Sequence, residues 1–498
     1  MRDSAGRTRS ATTARGDRVR RVVVVGNGMA GARFVEELCR RDPTVGVTVF
    51  GAEDRPAYNR VLLSDVLAGK RGHDEIALTE APGRVEQRLG TAVRSIDRAA
   101  RTVLAEDGSS TPYDALVLAT GSTALVPPVQ GIAGPDGLLL AGVHVFRTLD
   151  DCAAITVAAR KARTAVVVGG GLLGLEAARG LLRHGLQVDI VHGMGHLMET
   201  QLDPTGGAVL RRAVEALGVG VHLGSFAAGV TGGRSVTGVR LADGRHVGAD
   251  LVVLACGIRP QVDLARAAGL QVQRAVLVDD ALRTDDPHVF AIGECAQHRD
   301  QVYGLVAPAW EQAAVLADVL SGRSAAYAGS RLVARLKAMD LEVAAMGETA
   351  PELVDSGDGL EVLSFADPVR HIYKKLVVRD GVVTGAILLG DLSTVGEVTQ
   401  AFDRATPLPE DRLHLLFRGL GAAAAVDPAD VAHDALVCTC NQVTAGAIRD
   451  SGVRTVAEVA LATRATTGCG SCRGVVEGLL ACSSPAAEAQ PVTERRSA

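Results

Sequence analysis

Four cysteines near the C-terminal end of the 498-residue sequence are spaced as a metal-binding set. Cys438-Thr439-Cys440 is followed, 28 residues later, by Cys469-Gly470-Ser471-Cys472. Thiolates two and three positions apart on glycine-bearing loops can converge on one small inorganic core, as a Cys₄ iron–sulfur cluster requires. Zinc also takes four thiolates, but its usual knuckles are paired C-x₂-C units. The C-x-C half therefore favours iron and sulfide, with zinc as the alternative and four unrelated thiols as the weakest reading. Cys39, Cys152, Cys256 and Cys295 stand singly, and Cys482 has no partner in the pattern. An odd total of nine, clustered at one end of a chain without a legible secretion signal, argues for metal ligation rather than a disulfide framework.

Two glycine-rich turns supply a second kind of chemistry. Gly26-Asn27-Gly28-Met29-Ala30-Gly31 follows the run Val22–Val25 and opens a helical periodicity; Gly169-Gly170-Gly171-Leu172-Leu173-Gly174 repeats the arrangement. In such a turn the first glycine reverses the chain, the second lets backbone approach a pyrophosphate, and the third lets helix pack on sheet. The helix N-terminus adds N–H groups and a positive dipole end. An acid after the next strand should hold ribose hydroxyls. After Val47–Phe50 that acid is Glu53; after Val188–Val191 the position is taken by His192, which neither binds a 2′-hydroxyl as a carboxylate does nor repels a 2′-phosphate, so coenzyme preference stays open. The apolar run Leu116–Leu118 ends in the small-residue turn Ala119-Thr120-Gly121. Val289–Ile292 ends in Gly293-Glu294, where a carboxylate would hold ribityl hydroxyls. Either strand alone is an ordinary buried one; with two glycine turns in this order they point to a flavin enzyme. The stretch 51–67 has no cysteine, so electrons do not leave this flavin through a thiol pair behind the first turn.

The elements that must position these residues follow from the same periodicities. Each glycine turn joins a β-branched strand to a helix, giving two nucleotide-binding units rather than a repeat array. Between them lie turn signals at Asp107-Gly108 and Thr120-Gly121-Ser122 and a Pro127-Pro128 break; strands and turns return over 331–407. The expected fold class is α/β. One Rossmann-like domain spans 21–147 and 271–328, a second spans 148–270, an α/β cap spans 329–415, and a small cysteine-bearing domain spans 430–482. Residues 1–20, with their many arginines, are expected to form a solvated disordered arm, and 483–498 a fraying tail.

Composition agrees. Fifty-seven glycines and 47% apolar residues with only 3% aromatic suit an α/β protein rich in tight strand-to-helix turns. A net charge of −5 excludes the basic footprint of a nucleic-acid binder. The most apolar stretch, 165–182, is broken by glycines, Glu176 and Arg179, which excludes a membrane span there, so a cytoplasmic location is expected.

Taken together, these residues resemble a known family. The runs 26–37, 55–64 (RPAYNRVLLS) and 169–178, with Gly257-Ile258-Arg259-Pro260, 291–296 and 304–308, are similar to the large subunit of NAD(P)H-dependent assimilatory nitrite reductase and to the electron-transfer subunit of assimilatory nitrate reductase. The resemblance covers residues 21 to about 480. It implies a glutathione-reductase-like arrangement, with FAD on the first domain and NAD(P)H on the second. The C-terminal cysteines resemble the bacterioferritin-associated-ferredoxin-like domain, which implies a helical module and a [2Fe–2S] cluster on Cys438, Cys440, Cys469 and Cys472. By the same likeness Asn59 and Arg60 line the flavin, Val93 faces the adenine, Gly257 belongs to the cofactor-binding set, and Glu176 lies near the nicotinamide and the flavin as the candidate catalytic residue. Related ferredoxin reductases place a lysine where this sequence has Asp65. The sirohaem region of nitrite reductase is not present after Cys482, so the chain is not expected to reduce nitrite unaided, and the nitrate-reductase electron-transfer subunit is the better match. The function implied is transfer of electrons from NAD(P)H through FAD and the cluster to a partner nitrate or nitrite reductase. The alternatives are a flavin subunit of an amine or amino-acid dehydrogenase, against which the second dinucleotide turn argues, and a non-catalytic redox-sensing or docking protein.

Overall fold

The computed structural model describes residues 21–134, 136–338, 341–352, 357–417, 431–438, 441, 443–467 and 472–482. The arm 1–20, the tail 483–498, Cys440 and Cys469 lie outside the described residues.

Arg21–Val25 is the central strand of a five-stranded parallel sheet. Its neighbours are Gly46–Phe50 and Arg84–Arg88 on one side and Ala115–Leu118 and Val289–Ala291 on the other. Val22 to Val25 are all buried, as a parallel strand covered on both faces demands. Their alternation sorts them by layer. Val22 and Val24 pack with Phe34, Leu38, Ala313 and Leu316 from the helices Met29–Arg41 and Val306–Leu320. Val23 and Val25 pack with Ile96, Val103 and Ala105 of a three-stranded antiparallel sheet.

The second parallel sheet has the order Gly220–Leu223, Gln187–His192, Thr164–Val168, Leu251–Leu254, Val143–Val145. It is layered the same way: Ala165 and Val167 face helices, while Val166 and Val168 face the antiparallel sheet of Val236 and Val239. Val143–Val145 pairs with Leu251–Leu254 in this sheet, so the boundary expected after residue 147 falls behind a strand of the second domain. The antiparallel pair Ser122–Ala124 and Ile258–Pro260 ties the two halves together.

The cap is a five-stranded antiparallel sheet, Val333–Ala338, Leu341–Gly347, Val382–Leu389, Ile372–Arg379 and Leu360–Asp367 in spatial order, with the helix Val395–Arg404 packed on it. A buried bolt fixes it to the second domain. Lys375 Nζ donates to Asp203 Oδ2 at 2.5 Å and Tyr373 Oη donates to the same oxygen at 2.7 Å, while Asp203 Oδ1 caps the helix Pro204–Ala216 by accepting from Gly206 N–H at 2.8 Å. The C-terminal domain is small: Leu436–Cys438 pairs with Val443–Thr444, and the helices Ala445–Asp450, Val456–Thr463 and Arg473–Cys482 follow. Among the described residues no helix is long and apolar enough to cross a membrane.

Candidate functional site

The two glycine turns are built alike. Gly26 N–H donates to Phe50 O and Ala119 N–H to Val25 O, each at 2.8 Å; Gly169 N–H donates to Val191 O and Ala255 N–H to Val168 O at the same distance. Gly26 and Gly169 have φ of +115° and +118°, and a Cβ on either would overlap the carbonyl of Ala119 or Ala255. A Cβ on Gly31 or Gly174 would overlap the carbonyl of the first glycine of its own turn, so each helix lies directly on its turn. The middle positions differ in kind: a Cβ on Gly28 or Gly171 would meet nothing within 4 Å. Both are N-caps without a side-chain cap, and neither helix has an acid in its first turn. Free N–H groups facing open space at a helix start fit the phosphates of a dinucleotide. Beside the first turn the buried Asn27 Nδ2 has no hydrogen-bond partner among the described residues, which fits a bound polar group there.

Around the first turn the expected residues converge, and their partners are ones that sequence spacing does not reveal. Glu53 accepts from Tyr58 Oη at 2.8 Å and from the Arg60 guanidinium, which lies 4.7 Å over the Tyr58 ring. Burial pushes the Tyr58 phenol up to about 12, which keeps it a donor. Glu294, on the turn Gly293–Cys295, is bound by Arg147 and Ser122, and Gly293 N–H donates to Gln312 Oε1 at 2.7 Å. Thr120 Oγ1 donates to Gln261 O at 2.8 Å, Gln261 N–H to Gly121 O at 2.9 Å, and Leu125 N–H to Gly257 O at 2.9 Å, so these residues sit at the crossing between the halves. Val93 pairs with Ala105 at the edge of the same core. The buried Asn59 reaches furthest. Its Oδ1 accepts from Val61 N–H at 3.1 Å, and its Nδ2 donates to Thr467 O of the C-terminal domain at 3.1 Å. Arg464 pairs with Glu36 on the helix Met29–Arg41 and Arg404 of the cap with Asp434, so the C-terminal domain is docked beside the first turn.

At the second turn His192 is buried. Its Nδ1 accepts from Gly170 N–H at 3.1 Å, so the ring proton is on Nε2 and donates to Glu199 Oε2 at 2.9 Å. Sequence reasoning singled out His192 but not Glu199, which is seven residues further along the chain.

In the C-terminal domain Cys438 and Cys472 are buried and brought together. Thr466 N–H donates to Cys472 Sγ at 3.2 Å, and Asn441 Nδ2 donates to Cys438 Sγ at 3.7 Å. The bond with Cys472 and the N–H groups of Asn441 and Thr466 outweigh burial and bring the Cys438 thiol down to about 6. Such a nest favours the thiolate at Cys438, the form in which cysteine ligates iron.

Comparison with known proteins agrees with this geometry. Residues 20–313 match the family model for pyridine nucleotide-disulphide oxidoreductases. The chain belongs to that family. Residues 333–406 match the rubredoxin NAD+ reductase C-terminal domain and 436–481 the BFD-like [2Fe-2S] binding domain. This oxidoreductase is 36% identical to nitrite reductase [NAD(P)H] of Bacillus subtilis (strain 168), over 93% of this chain and 57% of that protein. It is 33% identical to the assimilatory nitrate reductase electron transfer subunit of the same organism, over 92% of this chain and 59% of that protein. The chain thus spans little more than half the length of these relatives. Its fold matches that of the ferredoxin reductase for the CYP199A2 system of Rhodopseudomonas palustris, with a TM-score of 0.69 at 25% identity over 78% of this chain and 96% of that one.

As a member of the family, the oxidoreductase uses FAD and NAD(P)H, and its BFD-like domain carries a [2Fe–2S] cluster. A cleft of about 440 Å³ is lined by Val61, Leu62, Ser64, Asp65, Lys70, Arg71 and Glu75 of the first domain, Glu176 of the second and Arg335 of the cap. Burial raises the Glu176 carboxyl to about 7; the Asp65 charge adds to this, while Ser64 and Lys70 oppose it. Asp65 pairs with Lys70 at 3.6 Å and Arg71 at 3.5 Å, so the following residues bring two cations to the cleft.

Proposed function

We propose that this oxidoreductase is the electron-transfer component of a nitrate- or nitrite-reducing system in nitrogen assimilation, working in the cytoplasm with a separate catalytic subunit. When bound, NAD(P)H supplies a hydride to FAD, and the cluster lets electrons leave one at a time for the acceptor. Residues 21–142 and 271–328 would hold FAD: Gly26, Gly28 and Gly31 at its pyrophosphate, Glu53 and Val93 at the adenosine, and Asn59, Arg60, Ala119, Thr120, Gly121, Gly293 and Glu294 along the rest. Residues 143–270 would hold NAD(P)H through Gly169, Gly171, Gly174, His192 and Gly257. Glu176, between them, can take up or release a proton at its carboxyl near neutral pH. Residues 430–482 would hold the cluster through Cys438, Cys440, Cys469 and Cys472.

The observation that carries this reading is the Asn59–Thr467 hydrogen bond, which joins a residue of the first domain to the chain segment just before Cys469. Similarity to the two Bacillus subtilis proteins supports the choice of acceptor. Anaerobic titration with NADH and with NADPH should bleach the flavin and then raise the paramagnetic signal of a reduced cluster. Adding an oxidised nitrate or nitrite reductase catalytic subunit should reverse both. Cys438→Ser should spare flavin bleaching and abolish onward transfer. Protein that stays colourless after reconstitution, or that reduces neither subunit, rejects the proposal.

A further inference from the structure

The loop beside the second glycine turn carries a carboxylate, Glu199, that spacing did not place. We infer that Glu199, held by His192, is the group that reads the adenosine ribose of the nicotinamide coenzyme, and that it makes the chain select NADH over NADPH. This rests on the reading that NAD(P)H occupies the second turn.

His192 ends the strand Gln187–His192, the point at which a dinucleotide site of this kind places its ribose acid. Its ring is not free for that task. Nδ1 takes the Gly170 N–H at 3.1 Å, which leaves Nε2–H to hold Glu199 Oε2 at 2.9 Å. The loop that carries Glu199 is pinned to the same glycine from the other side. Met198 N–H donates to Gly170 O at 3.0 Å, and Met198 adopts φ 53°, a left-handed conformation that an unbranched residue tolerates only when the fold imposes it. A Cβ on Gly170 would lie 2.6 Å from Leu197 Cδ2 and 2.9 Å from His192 Cγ, so the turn, the histidine and the loop are packed without slack. Glu199 is therefore fixed beside the phosphate-binding turn with its side chain 32% exposed, and Oε1 makes no hydrogen bond among the described residues. That oxygen can accept from a ribose 2′-hydroxyl.

Charge decides the selectivity. A 2′-phosphate needs an arginine or lysine, and the sequence has none between residues 184 and 210, the whole segment from the end of one helix through the strand and loop to the middle of the next. The nearby fixed charge is instead the Glu199 carboxylate, which a 2′-phosphate would face directly. The histidine reproduces the usual acid at one remove: it relays the strand-end position to a carboxylate supplied by the loop.

The test is binding of NAD+ and NADP+ to the full oxidised chain by calorimetry, a readout that needs neither cluster nor acceptor. Wild-type protein should bind NAD+ at least about tenfold more tightly than NADP+, the size of one charge-assisted hydrogen bond. Glu199→Gln, which can still accept from His192 Nε2, should weaken NAD+ and strengthen NADP+ until the two lie within about threefold. Glu199→Arg should invert the preference. His192→Ala, which removes the support but keeps the carboxylate, should weaken NAD+ less than Glu199→Gln does. Flavin content equal to wild type shows that each variant is folded. Equal wild-type affinities, or a ratio unmoved in Glu199→Gln, would overturn the inference while leaving the proposed function intact. Failure of either coenzyme to bleach the flavin would instead reject the function.

Discussion

Around the first glycine turn two carboxylates, Glu53 and Glu294, are each bound by an arginine, Arg60 and Arg147; around the second, the carboxylate Glu199 is bound by a histidine. The strands, turns and helix starts themselves superimpose in kind, down to the same backbone hydrogen bonds. Their outer neighbours also differ. The first turn has the C-terminal domain docked beside it through Asn59 and Glu36, and the second domain has the cap bolted to it through Asp203. One backbone device thus recurs in two settings, and tertiary neighbours, not the turn, supply the distinguishing charges and contacts.

Four experiments test how far the two turns differ. The largest effect is expected from placing alanine at the first glycine of each turn, where positive φ and a facing carbonyl both forbid a side chain. Gly26→Ala should yield protein without bound flavin, whereas Gly169→Ala should stay yellow and lose coenzyme binding; absorbance and calorimetry separate the two, and identical behaviour would mean that the turns are not independent. Next comes Lys375→Met, which leaves Asp203 buried without its cation. It should destabilise the second domain by about 3–5 kcal/mol in denaturant unfolding, with the flavin fluorescence transition of the first domain shifted less.

Glu176, in the cleft beside Ser64 and Asp65, gives a smaller and pH-dependent effect. Its folded carboxyl titrates at about 7 against an ordinary 4.5, so the folded state holds the proton more tightly and stability falls as pH rises from 4.5 to 7. Glu176→Gln should therefore match wild type at pH 4 and exceed it at pH 8 by up to roughly 3 kcal/mol when no coenzyme is bound. A variant no more stable at pH 8 would show that the carboxyl is not desolvated. The smallest effect belongs to Arg464→Glu, which sets two carboxylates against each other at the partly exposed contact with Glu36. It should weaken docking of the C-terminal domain by about 1 kcal/mol, read as faster proteolytic release of that domain, with Arg464→Lys close to wild type.

Much of this was legible in the residue order. The valine runs and glycine turns announced both nucleotide-binding units, because a parallel strand buried on two faces must be continuously apolar and a chain reversal onto a helix has few solutions. Spacing alone marked Cys438 and Cys472 as candidate ligands, and the structure brings these two together. Other features left no local trace. Arg147 meets Glu294 across 147 residues, Asn59 meets Thr467 across 408, and Lys375 meets Asp203 across 172. The strand Val143–Val145 looked like the end of the first domain, yet it pairs into the second sheet.

Residue order alone settled the periodic and the obligatory: which runs are strands and where glycine must stand. Those properties depend on nearest neighbours and on the steric limits of single residues. It took the folded chain to make Glu53 and Glu294 face arginines, to join the strand-end histidine to a carboxylate of its own loop, and to rest the cysteine module against the first domain. Contacts between residues far apart in the chain follow from how the layers close, and closure depends on the packing of all the elements at once.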